Sequence, residues 1–547
     1  MPVESASRRN ARAAALAIAA WALARLFIHW PRIWDVGLWD ESFYLGEGLR
    51  NAPYLMSQYE AFPLYSKFYH VLVVVLGNGD VPRLYMVGGL LAILLGLVGV
   101  GLGVWAASRS FSLTIASMAI VALSGALIWP RVVFLNLFIM GVGFAASALA
   151  RGRFSKLSIL ALTCYLATFV RSEFIMDFYA ALALTITFDI HALIRSNPAR
   201  VRSWAPGLAA LAAVAVLSLL WSFPILRGNA RAMAAFGQHY GLRVVERRHL
   251  DIDPWLNWER IVQADFPGAK SLSDALWANP RAALRFFVEN AFGLLPHAWR
   301  QIVPARYIPW GAGGMAMIGV ALWLASPRRG RTSNPRRTLH ENDHDNVLCA
   351  AILLLPPTLS IILVFPRDHY ILQAMAAQMF VLGALMRAAP WPLTRLHRRL
   401  PAWVRLRGGH WGPIAIAVIF LLVARPLPIV AQPTWASMKV VHALPPVARM
   451  LESDGGLCTY AAHQCEAAWA WDVPVGAHFS RYLDENGIDA VAVSPGLLRT
   501  VAIKESASFN DFVTTASEHG WTRHEIPPPA GDAPIILLIR SPQAVTK

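Results

Sequence analysis

Charge and cysteine are the scarce components of this chain. Only 15% of its 547 residues are charged, against 56% hydrophobic, which excludes an ordinary soluble globular protein. Acids are scarcer than bases, 33 Asp and Glu against 49 Lys and Arg, for a net charge of +16. The basic surplus does not gather into one patch or stripe, as a nucleic-acid footprint would, so no nucleic-acid partner is expected. It falls instead in short clusters between apolar runs. Four cysteines, with no CxxC and no Cys/His spacing, give no zinc site. Cys164 and Cys349 lie inside apolar runs and read as packing residues. Cys458 and Cys465 lie in a more polar C-terminal region, where an oxidising compartment would let them pair; the other reading is two unrelated buried thiols. No internal repeat is found, which withholds support from repeat-built transporters.

What the chain does have is length of apolar sequence. A run of about 18 residues or more is long enough to cross roughly 30 Å of hydrocarbon. Such spans are expected near 13–33, 84–107, 111–129, 133–150, 157–170, 174–194, 204–224, 307–326, 347–365, 370–386 and 411–430, about eleven in all. When these alternate, every basic cluster lands on one side: Arg8/Arg9/Arg12, Arg109, Arg151/Arg153/Lys156, Arg195/Arg200/Arg202, Arg328 to Arg337, and Arg387 to Arg407. That side is read as cytoplasmic, with the N-terminus on it. The apolar run Leu64 to Gly77 is short; counted as a span it would throw the heaviest basic loops outside, so it reads as an interfacial or half-inserted helix. Ala22-Leu23-Ala24 looks like a signal-peptidase site, but the apolar run continues to Trp30 and the first span is expected to stay as an anchor.

The fold expected is therefore an α-helical polytopic membrane protein of the inner (plasma) membrane. Residues 1–430 form the transmembrane domain, with a first external loop at 34–83 and a second at 227–306, and 431–547 form a small extracytoplasmic α/β domain. In the latter, Asp489 to Ser494 and Ile535 to Ile539 read as strands. Between them Ser508 and Asp511 resemble a capping box, and Gly520 a helix stop.

Ionisable groups near hydrocarbon are costly and mark functional sites. Here they gather at the external ends of the spans: Asp40/Glu41 just past the first, Lys67 on the interfacial helix, Arg131, Arg171-Ser172-Glu173 and Arg367-Asp368-His369-Tyr370. The topology was set by the basic clusters alone, so this segregation is an independent observation. A carboxylate can accept the proton of an attacking hydroxyl, and cations can stabilise charge on a departing phosphate. Each position also has a plain structural reading. Asp40 and Glu41 would be solvated loop acids, Arg171 and Glu173 a self-contained pair, Arg367 a partner of Asp368 or a snorkelling side chain, and Lys67 and Arg131 interface anchors. Arg25 and His29, one turn apart in the first span, read as packing residues, and Trp30, Trp34 and Trp39 as an interfacial belt.

The run Trp39-Asp40-Glu41-Ser42-Phe43-Tyr44 resembles the Asp-Glu element that opens the first external loop of GT-C glycosyltransferases, the superfamily of lipid A aminoarabinose transferases and protein O-mannosyltransferases. Phe62-Pro63-Leu64-Tyr65 and Arg83-Leu84 are similar to that family's next two landmarks. Arg171-Ser172-Glu173 resembles its mid-chain Arg-Pro-Glu element, and Arg367-Asp368-His369-Tyr370-Ile371-Leu372 its late Arg-Tyr-Leu element with two residues inserted. The resemblance implies an inverting transfer of a sugar from a polyprenyl-phosphate donor in the bilayer to an external lipid, glycan or protein. It implies Asp40 as general base, Glu41 assisting, Lys67, Arg171, Arg367 and His369 on the donor phosphate, and Tyr44, Arg131, Glu173 and Tyr370 near substrate. Phe62 stands where the family often has Lys or His, and Asn136 where it often has a second acid. No metal and no cofactor are expected. A transporter of a lipid-linked substrate and a non-enzymatic membrane scaffold are the alternatives.

Overall fold

In a computed structural model of the chain, the residues described are 63–77, 81–122, 132–194, 201–221, 230–302, 341–364, 368–388, 447–453, 465–526 and 534–541. Positions 251, 253, 256 and 499 are excepted, and a few isolated positions such as Tyr44, Leu45, Gly48 and Cys458 are added. The spans expected at 307–326 and 411–430, and most of the one at 13–33 with Arg25 and His29, lie outside the described residues.

The first half of the described chain is helical: α1 (Pro63–Leu76), α2 (Val81–Ser108), α3 (Phe111–Ala122), α4 (Val132–Leu149), α5 (Arg153–Thr168), a 3-10 turn at Ser172–Phe174, α6 (Ile175–Ile194) and α7 (Val201–Leu220). Later come α12 (Glu341–Leu363) and α13 (Asp368–Ala388). Among the described residues three stretches are long and apolar enough to cross a membrane: Arg83–Ser108, Val132–Leu149 and His344–Leu363. α1 has 14 residues, or about 21 Å at 1.5 Å per residue, too short for the hydrocarbon core. Pro63 opens it, where a missing N–H costs nothing, and its far half exposes Val71, Val74 and Val75.

Small residues set the spacing of the bundle. A Cβ placed on Gly141 of α4 would sit 1.9 Å from the Gly99 carbonyl oxygen of α2, so the two backbones touch where no side chain intervenes. Gly141→Ala is expected to push α2 from α4 and cost about 1–3 kcal/mol, the usual penalty of overpacking, seen as a lower melting temperature of the purified protein.

The end of the bundle that carries Arg153 is pinned differently. Lys156 is buried, not a solvated loop charge; its ammonium donates to Asn346 Oδ1 of α12 and, at 3.4 Å, to the Ala148 carbonyl at the end of α4. Arg153 pairs with Asp345 at 2.7 Å beside it. Cys349 is buried there and accepts from Ser147 Oγ at 3.5 Å, and Cys164 is buried as well.

Within the external loop expected at 227–306, the chain forms α8 (Ala230–Arg248), α9 (Trp258–Asp265), α10 (Leu272–Ala278) and α11 (Pro280–Ile302). Their core is aromatic: Phe236, Tyr240, Phe266 and Phe286 meet with ring centroids 4.8–5.7 Å apart. The Tyr240 hydroxyl donates to Asp265, which also holds Arg248 at 3.0 Å.

The C-terminal region is a five-stranded sheet in the order β2-β1-β3-β5-β4, built from β1 (Arg449–Glu452), β2 (Glu466–Trp469), β3 (Ala490–Val493), β4 (Trp521–Ile526) and β5 (Ile535–Arg540). The first three are parallel; β5 runs antiparallel to both β3 and β4. One face buries Leu451, Val491, Val493 and Leu538 with α14 (Phe479–Glu485), α15 (Pro495–Leu498), α16 (Val501–Lys504) and α17 (Ala507–Thr515). Cys458 and Cys465 are disulfide-bonded across the β1–β2 connection, Cα atoms 5.4 Å apart. The capping expectation is corrected: Ser506, not Ser508, caps α17, its hydroxyl accepting from Phe509 N at 3.2 Å. Ser508 sits inside the first turn, and its hydroxyl accepts instead from Phe479 N of α14. Two serines two residues apart offer the same capping chemistry, and with the Ser508 hydroxyl taken by the Phe479 N–H, Ser506 makes the cap.

Candidate functional site

The site is built where α1, the α5–α6 turn and α13 meet. Pro63 and the first turn of α1 bring its free N–H groups to the end of α5, where Leu64 N donates to the Phe169 carbonyl at 3.1 Å. α1 is fixed from the other side by aromatic packing. The Tyr65 ring lies edge-on to Tyr44 and Tyr69, centroids 5.2 Å away in each case, and stacks on Phe68 at 5.7 Å. His70 Nδ1 donates to the Gly48 carbonyl at 3.3 Å. Tyr44, four residues past Asp40, thus sits against the helix that carries Lys67, which is half-buried.

Two residues beyond Phe169 the chain breaks from α5 into an extended Arg171 (φ −145°, ψ 109°) and then the 3-10 turn. The break aims the guanidinium inward; Arg171 is buried, 4% exposed. Its Nε and a terminal nitrogen both donate to Glu173 Oε1, at 2.8 and 2.7 Å. Its carbon centre lies 4.6 Å from the ring centroid of Tyr370, in the first turn of α13. Burial opposes the charge, but Glu173 and Tyr370 more than offset it, and the group titrates above its ordinary range. A permanent cation is thereby held rigid by an acid on one side and a ring on the other.

Of the residues singled out from sequence, Tyr44, Lys67, Arg171, Glu173 and Tyr370 fall among those described, and contacts link Tyr44 to α1, α1 to Phe169, and Arg171 to Tyr370. The self-contained Arg171–Glu173 pair is present, with Tyr370 as a third member. Asp40, Glu41, Arg131 and Arg367 lie outside the described residues, and for Asp368 and His369 only the helical backbone is described. Among the described residues no three His, Cys, Asp or Glu side chains gather to hold a metal.

The sequence reading missed two buried polar groups one turn deeper. Asp177 follows Glu173 by four residues on α6, and Gln373 follows Tyr370 by three on α13; both are at most 1% exposed, and neither side chain finds a hydrogen-bond partner among the described residues. An i,i+4 acid pair entering a span was the available signal. Asn136, in the place of the expected second acid, is fully buried on α4, its amide nitrogen 3.5 Å from Met140 Sδ.

No protein-family model and no curated protein matches the chain. Among solved structures the likeness is to ArnT. The chain is similar to ArnT from Cupriavidus metallidurans bound to undecaprenyl phosphate, with 13% identity, a TM-score of 0.45, and 97% of this chain and 99% of that one covered. For ArnT in the apo state the identity is 14%, the TM-score 0.36 and the coverage 96% and 97%.

Proposed function

We propose that the chain is a GT-C-type membrane glycosyltransferase that moves a sugar from a polyprenyl-phosphate donor to an acceptor outside the cytoplasm, with inversion. Asp40 takes the acceptor proton and Glu41 orients it; Arg171, Arg367, His369 and Lys67 neutralise the departing phosphate, and Arg131 serves the substrate. The reading keeps the inner membrane as its setting, with about eleven spans, the N-terminus inside and the C-terminal domain outside. The observation that carries it is the buried Arg171, clamped by Glu173 and faced by Tyr370, with α1 and Tyr44 packed around the same turn. Four short motifs far apart in sequence supply those residues, as a site that must hold one lipid headgroup requires. The planar guanidinium can donate two parallel hydrogen bonds to two oxygens of a phosphate, and a fixed cation acts without reorganisation as charge develops.

The test uses protein reconstituted in lipid nanodiscs with a polyprenyl-phosphate sugar labelled in the sugar. Label should pass to a membrane or glycan acceptor with release of polyprenyl phosphate, and a nucleotide sugar should not serve as donor. Transfer from a nucleotide sugar, or movement of the intact lipid across a vesicle without transfer, would refute the reading.

A further inference from the structure

α11 buries one side and leaves the other bare. Ala283, Phe286 and Asn290 are buried, while Leu284, Val288 and Phe292, at i, i+4 and i+8, are 63, 43 and 79% exposed. Val288 and Asn290 are two positions, about 200°, apart on a helix, so the bare apolar stripe is opposite the side that Asn290 anchors. That anchor fixes the depth of the helix. Asn290 Nδ2 donates to the Ile362 and Val364 carbonyls, at 3.1 and 3.2 Å, at the end of the apolar stretch that closes with Leu363 in α12. An apolar face this continuous marks an interaction surface. Two arginines, Arg281 and Arg285, are exposed next to the stripe, and the one acid beside them, Glu289, is already shared between Arg285 and Arg247 at 2.8 and 2.7 Å. Trp277, on the neighbouring α10, is 86% exposed, and tryptophan favours the headgroup level.

We propose that α11 is an interfacial helix whose Leu284–Val288–Phe292 face lies in the outer leaflet, with Arg281 and Arg285 on lipid phosphates. Its partner is the bilayer surface, so the external helical unit at 230–302 rides on the membrane instead of standing free in water. The physics is that of an amphipathic helix: an apolar face sunk into the headgroup–acyl boundary and arginines reaching back to anionic headgroups. Bringing residues 230–302 to the leaflet also fits the chain path, since α11 ends five residues before the span expected at 307. The proposal rests on the membrane reading of α2 and α12 and not on catalysis.

The experiment is spin labelling of single cysteines in the full chain, in nanodiscs of phosphatidylethanolamine and phosphatidylglycerol. The native thiols stay silent because Cys164 and Cys349 are buried and Cys458 and Cys465 are bonded. Labels at 284, 288 and 292 should collide with oxygen in preference to a water-soluble nickel chelate, and a label at Ser273, exposed on α10, should show the reverse. A label at Val98, on the exposed face of α2, is the lipid reference. Nickel preference at 288 and 292 with oxygen preference at Val98 would overturn the proposal in favour of solvent. Shielding from both reagents at 288 and 292 would overturn it in favour of a protein cover, and nickel preference at Val98 would instead sink the membrane reading itself.

Discussion

Asp40→Asn should reduce sugar transfer from a polyprenyl-phosphate donor by roughly 10²- to 10⁴-fold, the range that a positioned general base contributes. Asparagine keeps the size and polarity of the side chain and removes its capacity to take a proton, so the loss belongs in turnover, with donor binding little changed. The position lies in the first external loop by sequence, where substitutions usually stay within about 0.5 kcal/mol of the parent stability, and the melting temperature should not move. Transfer and melting measured on the same preparation separate chemistry from folding. Undiminished turnover removes Asp40 from the mechanism. Loss of transfer with continued export of the intact lipid would return the chain to the transporter alternative.

The parts legible in the sequence were those governed by one physical requirement. Crossing hydrocarbon demands length and apolarity together, and the runs expected at 84–107, 133–150 and 347–365 correspond to α2, α4 and α12. β3 and β5 were legible because AVAV and IILLI are apolar without interruption. β1 and β2 were not: RMLE and EAAW are four residues each, with no alternation and no β-branched residue, and they are strands because the parallel pairing supplies what propensity does not. β4, WTRHEI, is polar throughout its middle and buries only its ends. The aromatic core of residues 230–302 had left a trace, Phe236, Tyr240 and Val244 at i, i+4 and i+8, that the charges around it obscured. At the site, the resemblance put Arg171 on the donor phosphate and Tyr370 near substrate without saying that the two touch, which only the structure shows; Asp177 and Gln373, one turn deeper, belong to none of the motifs that carry the resemblance. Lys156 shows the opposite limit: a lysine in a basic cluster reads as a topology signal, and only packing reveals it as a buried donor that ties α5 to α4 and α12.

Removing Arg171 poses the sharpest question, because the residue is at once structural and, by the proposed reading, a ligand for phosphate. Arg171→Met strands the Glu173 carboxylate, only 16% exposed, without its partner, and breaking a buried pair on one side costs about 3–5 kcal/mol. A large fall in melting temperature is expected, and by itself it says nothing about catalysis. The double variant Arg171→Met/Glu173→Met removes both charges, and exchange of a whole buried pair for apolar side chains is often neutral or stabilising. Its melting temperature should return toward the parent. Donor affinity should not return, because the charge-assisted hydrogen bond to phosphate, worth roughly 1.5–3 kcal/mol or about 10- to 100-fold, is gone in both variants. Arg171→Lys should fall between, keeping charge but losing the planar fork that grips Glu173 and the face that lies on Tyr370. Recovery of both stability and donor affinity in the double variant would make the pair a helix-end brace and nothing more. Recovery of stability alone assigns the cation to the substrate, since a brace that has been replaced can leave no deficit in binding.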